Sequence, residues 1–191
     1  MPRRQPGNFE IWILWLVANV VPWWIGCALL FPLETLMGDI ELPMLMVAWG
    51  ITCALVGITQ GWVLKQRLSG MKWWPVATAL GGAIAFLGFF TFWGAPFVTG
   101  GTFGAAQWLI LRRRVPKAWL WIVVQIVAAI AGVGAALLTP VDFMMGDFNH
   151  TIFIMGTAVE AAASAVTGTT LIFLLRQRQQ ARDWPQERAV K

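Results

Sequence analysis

Residues 101–114 read GTFGAAQWLILRRR, an apolar run of small residues, one glutamine and one tryptophan that ends on three arginines. Two other stretches are built the same way: GITQGWVLKQRL at 57–68 and GTTLIFLLRQRQ at 168–179. With Lys65, Arg112 and Arg176 in register, Gly57, Gly104 and Gly168 align, and one helical turn earlier so do Cys53, Gly100 and Ser164. Spacing by four places residues on one face of a helix. Each stretch therefore predicts a helix with a narrow small-residue stripe that stops at a basic cluster. Gly61 extends the first stripe and Gly156 the third.

The surrounding chain says where such helices belong. Of 191 residues, 58% are hydrophobic, and mean hydropathy is +0.67. The apolar spans Ile11–Phe31, Leu42–Leu64, Trp73–Phe90, Trp93–Leu111, Trp119–Thr139 and Thr151–Leu175 approach or exceed the roughly 20 residues that cross a bilayer as a helix. They are continuous rather than alternating, which excludes a lipid-facing β-barrel. Six transmembrane helices follow, with a tight turn near Gly94-Ala95-Pro96 dividing the third from the fourth.

With these spans, all 14 Lys and Arg fall on one side, and Glu34, Asp39, Glu41, Asp142, Asp147 and His150 fall on the other. The positive-inside rule then places both termini in the cytoplasm. The basic clusters read as topology determinants that meet anionic headgroups. The pI near 10.0 therefore does not signal nucleic acid, and the basic tail carries no recognition motif.

The odd spans repeat too. Trp15, Trp74 and Trp121 open them near the cytoplasmic interface, and four residues later come Asn19, Thr78 and Gln125. The unit is a helical hairpin used three times in one orientation, at about 9–72, 73–118 and 119–179, followed by a cytoplasmic tail at 180–191. These units form a single all-α transmembrane domain with a pseudo-threefold axis along the membrane normal. Because the first span belongs to the pattern, it does not read as a cleaved leader. Cys27 and Cys53 lie at different depths and read as packing residues without a disulfide.

The phrases PLETLMGDIE at 32–41 and PVDFMMGDFN at 140–149 read as the outer connectors of units one and three, with Gly ending one helix and Asp capping the next. Their acids would suit a hard cation, and their methionines with His150 would suit copper. Neither set has a recognised ligand spacing, so no metal is expected.

Glu160 is the residue that breaks the pattern. It lies about 13 Å into the sixth span at 1.5 Å per residue, on the small-residue stripe, where units one and two carry Trp49 and Pro96. A carboxylate at such depth costs at least about 2.5–3.5 kcal/mol, so it should face the bundle or sit protonated. It reads either as a proton or cation site or as a neutral, hydrogen-bonded acid that fixes helix register. The spans contain no Lys or Arg to pair with it. Asn19, Gln60, Gln107 and Gln125, with Thr52, Thr59 and Thr78, are the candidate partners. Gln60 and Gln107 each precede a basic cluster by five residues, but Leu171 stands at that place in the third unit. Most of the 13 tryptophans fall at expected interfaces and read as anchors.

Enzyme constellations are absent: there is one His, and no G-x-S-x-G, H-E-x-x-H or C-x-x-C motif. The stretch GAAQWLILRRRVPKAWLW at 104–121 resembles bacterial polytopic membrane proteins that repeat G-x-x-Q-W-L-x-L-R-R before a Trp-led helix and end in a motif like LLRQ at 174–177. The resemblance implies a multi-pass protein of the bacterial inner membrane and brings no activity or cofactor with it. In outline three hairpins are also similar to mitochondrial carriers, whose proline–acid–base motif is missing here. The expected role is a non-enzymatic accessory or scaffolding subunit. It would pack against a membrane-protein partner or a second copy through Gly57, Gly61, Gly100, Gly104, Gly156, Ser164 and Gly168. The alternative is a small transporter or channel with a proton or cation site at Glu160.

Overall fold

A computed structural model describes the backbone of residues 6–37, 42–88, 95–139 and 148–189, and the side chains within 6–29, 47–86, 96–139 and 153–181. Among these residues the chain is all-helical. Its six helices are α1 (Asn8–Met37), α2 (Leu42–Lys65), α3 (Trp74–Gly88), α4 (Ala95–Leu111), α5 (Leu120–Leu138) and α6 (Phe148–Ala189). Cys27 and Cys53 are buried free thiols. The doubled connector phrase falls outside the described residues except for helical backbone at its ends, and so do the side chains of the acids and of His150 within it.

Three boundaries differ from the sequence expectation. α1 runs past Phe31 to Met37, so that residues 32–37 of the expected connector are helical. Ala95 and Pro96 lie inside the first turn of α4 rather than in the turn before it. Proline is tolerated there because the first N–H groups of a helix have no intrahelical acceptor. At the other end, α6 does not stop at Leu175 but runs 42 residues to Ala189. The sequence RQRQQAR that follows the apolar span contains only good helix formers, so nothing local ends the helix at the basic cluster.

The helices form a closed ring. Each packs on its neighbours in sequence and α6 closes on α1; among the described residues no helix packs on one across the ring. The small-residue stripes make these contacts. A β-carbon on Gly57 of α2 would lie 2.7 Å from Pro75 Cα of α3, and one on Gly104 of α4 would lie 2.7 Å from Ile122 Cα of α5. On α6 a β-carbon at Gly168 would come within 3.0 Å of the Trp15 ring of α1. Each even helix thus turns its small face to the odd helix beside it. Backbones approach where side chains are absent, and in lipid such packing is a main source of helix association.

Burial is unequal along the ring. The apolar core lies at one end and includes Ile11, Trp15, Leu64, Leu68, Met71, Trp74, Leu111, Trp121, Leu171 and Leu174. The basic residues Lys65, Arg67, Lys72, Arg112–Arg114, Lys117 and Arg176 follow this core immediately in sequence. The Arg67 guanidinium donates to the Pro6 carbonyl, and Arg178 Nη1 donates to the Arg67 carbonyl at 2.9 Å. The α2–α3 and α4–α5 loops, the start of α1 and the C-terminal part of α6 are gathered at this basic end.

The exterior is apolar. Val17, Val21, Ile51, Ile58, Leu80, Ile84, Phe97, Leu109, Val123, Ile130 and Phe173 are all exposed, whereas Asn19, Thr52, Gln60, Thr78, Gln107, Ser164 and Thr167 are buried. That distribution inverts the usual one in water. Four of the helices are long and apolar enough to cross a membrane, over Asn8–Leu29, Val47–Lys65, Leu120–Leu138 and Phe153–Ala181. α3 and α4 are shorter, at 15 and 17 residues. This is the build of a membrane-embedded protein.

Candidate functional site

Three tryptophans meet at the centre of the basic end. Trp15, Trp74 and Trp121, from α1, α3 and α5, each have no exposed surface. Their ring centroids are 6.5 Å (Trp15–Trp74), 5.8 Å (Trp15–Trp121) and 6.2 Å (Trp74–Trp121) apart, with interplanar angles of 68°, 82° and 64°. Each pair is edge-to-face, the geometry the aromatic quadrupole favours. Since none of the three helices touches another, the indoles are what fill the ring at this level. The anchoring role expected of them is therefore corrected. Among the described residues Trp62, Trp73 and Trp119 are the exposed tryptophans of the basic end, while Trp15, Trp74 and Trp121 form a plug.

A buried indole needs an acceptor for its N–H. Trp74 Nε1 donates to Gln60 Oε1 of α2 at 2.8 Å, and Trp121 Nε1 to Gln107 Oε1 of α4 at 2.8 Å. Trp15 Nε1 donates to Thr167 Oγ1 of α6 at 3.0 Å. The glutamine missing from the third unit is thus replaced by a threonine one turn earlier on α6. No spacing rule pointed to Thr167, because it is out of register with Gln60 and Gln107.

These bonds extend into a layer. Gln60 Nε2 donates to Asn19 Oδ1 at 2.7 Å, and Asn19 Nδ2 donates to the Trp15 carbonyl at 2.6 Å. Gln107 makes all four bonds available to its amide. Its Oε1 accepts from Trp121 and from Gln125 Nε2 at 2.9 Å, and its Nε2 donates to Thr78 Oγ1 at 3.0 Å and to Gln60 Oε1 at 3.4 Å. The structure therefore brings Asn19, Gln60, Gln107 and Gln125 together. Replacing Gln107 with Leu would strand the Trp121 N–H and the Gln125 amide in a buried layer. The expected loss is about 1–3 kcal/mol, read as a lower melting temperature in detergent. A shift no larger than that of exposed Leu109→Ala would contradict it.

Glu160 is not part of this layer, so the partners expected for it are corrected. Asn19, Gln60, Gln107 and Gln125 bond to one another and to the tryptophans, and Thr52 and Thr59 bond to backbone carbonyls. Seven residues separate Glu160 from Thr167 at the plug, a rise of about 10 Å. Between Phe153 and Ala163 no residue of α6 is buried, whereas Ser164, Thr167, Gly168, Leu171, Leu174 and Leu175 are. On α6, then, burial begins at Ser164, while Trp23 and Cys27 of α1, Cys53 of α2, Ala85 of α3 and Gly132 of α5 stay buried farther from the basic end.

Glu160 is surrounded by protein yet keeps some accessible surface. It lies in electrostatic range of Cys27 on α1 and of Cys53 on α2. α6 does not pack on α2, so the charge of Glu160 acts on Cys53 across the ring rather than through a helix contact. Two polar atoms beside it lack hydrogen-bond partners among the described residues: Ser164 Oγ, one turn along α6, and Trp23 Nε1 of α1. Both residues are over nine-tenths buried, at 2% and 8% exposed. The Trp23 ring lies over Gly156, one turn outward from Glu160, where a β-carbon would be 2.9 Å from Nε1. No group of three or more His, Cys, Asp or Glu suited to a metal ion occurs among the described residues.

Compared with protein-family models, curated proteins and solved structures, the chain matches none.

Proposed function

We propose that the chain is a multi-pass protein of the bacterial plasma membrane that moves a proton or small cation through a site at Glu160. The observation that carries this reading is the setting of that carboxylate. It is enclosed by protein about 10 Å outward from a plug of three tryptophans. Ser164 Oγ, one turn along, and Trp23 Nε1, over Gly156, lack hydrogen-bond partners among the described residues. A group that is costly to bury and has no hydrogen-bond partner among the described residues is more economically explained by a ligand than by helix register. The plug fills the basic end, as a closed gate on one side of an alternating-access carrier would.

The basic end faces the cytoplasm by the positive-inside rule, with both termini there and anionic headgroups around it. The three Trp–acceptor pairs and the three small-residue stripes support a pseudo-threefold arrangement of hairpins. The accessory-subunit reading rested on those stripes, and the chain's own neighbouring helices occupy them.

The test is reconstitution into proteoliposomes with an imposed membrane potential and an internal pH dye. Wild-type protein is expected to pass protons or a co-supplied cation faster than protein-free vesicles do. Glu160→Gln should return flux to the protein-free level without lowering the melting temperature. Equal flux in the two proteins would end the proposal.

A further inference from the structure

The apolar exterior of the ring is grooved where two of the basic clusters come together. We infer that the groove between α3 and α4 holds an anionic phospholipid of the leaflet at the basic end. An acyl chain lies along the groove, and the headgroup phosphate sits between Lys72 and Arg113. The site is independent of any role for Glu160. It turns the headgroup contact expected of every basic cluster into one defined place.

Side-chain size makes the groove. Trp73, Ala77 and Leu80 share one face of α3 by their spacing, and Ala106, Leu109 and Ile110 face them from α4. Trp73, Leu80 and Leu109 stand exposed as rims, whereas Ala77 and Ala106 are half-buried between them. The helices close beneath at Gly81, where a β-carbon would lie 3.1 Å from Phe103 Cα. The space is about 230 Å³. That is below the roughly 300–1,000 Å³ of a pocket that encloses a compact ligand, so a slender chain suits it. A second groove of about 430 Å³ runs on the other flank of α3, between Ala79 and Ala83 and the small residues Gly50 and Ala54 of α2. The two grooves share Leu80, so each flank of α3 offers a track for one chain of a two-chain lipid.

Charge decides which lipid. Lys72 Nζ lies 5.7 Å from the centroid of the Trp73 ring, at the basic end of the groove. The Arg112 N–H still bonds to the Trp108 carbonyl at 2.8 Å, so exposed Arg113 follows Leu109 by one helical turn. Arg114 joins the two sides. Its guanidinium covers Gly70, whose missing side chain leaves room for it, and its Nη1 donates to Ser69 Oγ at 3.4 Å. The end of α4 is thereby drawn onto the loop that leads into α3, and Lys72 and Arg112–Arg114 meet at one mouth. Among the described side chains the acids are Glu10 on α1 and Glu160 on α6, and neither helix packs on α3 or α4. A phosphodiester at the membrane surface supplies the counter-charge through charge-assisted hydrogen bonds. A zwitterionic headgroup brings its own ammonium and gains less.

Native mass spectrometry of purified protein in mild detergent reads the site, with phosphatidylglycerol and phosphatidylcholine of identical chains titrated as probes. Wild-type protein should retain one phosphatidylglycerol at least roughly tenfold more tightly than phosphatidylcholine, since each basic residue at the surface contributes about fivefold. Lys72→Gln combined with Arg113→Gln should remove that preference; both side chains are exposed, so the fold is not at stake. Arg176→Gln, on α6 across the ring from α3, should leave it unchanged. Ala77→Leu fills the groove with the charges in place and should weaken retention of both lipids. Should it fail to fold, Trp73→Ala, at an exposed rim, must weaken retention instead. Glycerol 1-phosphate, a headgroup without chains, should not displace the lipid. Equal retention of the two lipids by wild-type protein, or an unchanged preference in the double variant, overturns the inference. So does full retention in the groove variant, or displacement by glycerol 1-phosphate at the lipid's own concentration. A dimer that holds no lipid and is lost in Ala77→Leu would give the groove to a second copy and overturn it as well.

Discussion

Trp121→Ala is expected to destabilise the ring by about 3–5 kcal/mol, the range for removing a buried aromatic that leaves a cavity. Trp121 has no exposed surface, touches Trp15 and Trp74 edge-on at 5.8 and 6.2 Å, and donates to Gln107. The surrounding solvent is proposed to be lipid, so hydrophobic transfer contributes less than in water, and the loss comes from contacts and from the stranded Gln107 carbonyl. The helices carrying the three indoles do not pack on one another, so no backbone can move in to fill the space. Trp121→Phe should lose only the hydrogen bond and part of the volume, about 1–2 kcal/mol. Trp119, two residues away and 56% exposed, supplies the control. If Trp119→Ala lowers the melting temperature in detergent as much as Trp121→Ala does, the plug is not what holds the basic end together. Under the transport reading, Trp121→Ala should also make proteoliposomes leak in the absence of a gradient-coupled substrate.

The contrast between Trp119 and Trp121 also shows how far the sequence could be read. Periodicity and the basic punctuation located all six helices, because an apolar run and its charged ends are local properties of the chain. The recurrence of Trp15, Trp74 and Trp121 four residues before Asn19, Thr78 and Gln125 was equally visible. What it meant was not. Tryptophan near a basic cluster fits both an interfacial belt and a buried plug, and only closure of the ring by α6 on α1 decides between them. Thr167 was hidden for a similar reason: its role depends on the relative height of α1 and α6, which no single-helix pattern encodes. The glycine stripes were legible as packing faces, but nothing local states whether the partner is another protein or the next helix. For Glu160 depth and burial could be read from the sequence. Ser164 could be placed one turn away on the same stripe, but the Trp23 ring comes to lie over Gly156, one turn from the acid on the other side, only when the ring is formed.

That question of partner can be answered with one pair of adjacent glycines. Gly100→Leu is expected to cost about 3 kcal/mol or more, at the upper end for overpacking, while Gly101→Leu should be neutral or stabilising. A β-carbon at Gly100 would lie 2.6 Å from Ile126 Cα and 2.7 Å from Gln125 C, both backbone atoms of α5. A rotamer change cannot relieve such contacts, so α4 and α5 would have to separate. Separation would pull Gln107 from Gln125 and Trp121 and so reach the plug from two turns away. At Gly101 a β-carbon meets nothing within 4 Å, and replacing glycine inside a helix gains up to about 1 kcal/mol in propensity. The two variants have the same composition and nearly the same depth, so lipid interactions and expression effects largely cancel. Melting temperatures in detergent and the fraction surviving size-exclusion chromatography read out the difference. If both are tolerated, α4 does not pack on α5 by this face, and the stripe is free for a separate partner. If both are lost, the exterior face at Gly101 is itself covered, and the apolar belt is an interface rather than a lipid surface. A loss at Gly100 alone ties the small-residue stripes to closure of the ring, the condition on which a site at Glu160 depends.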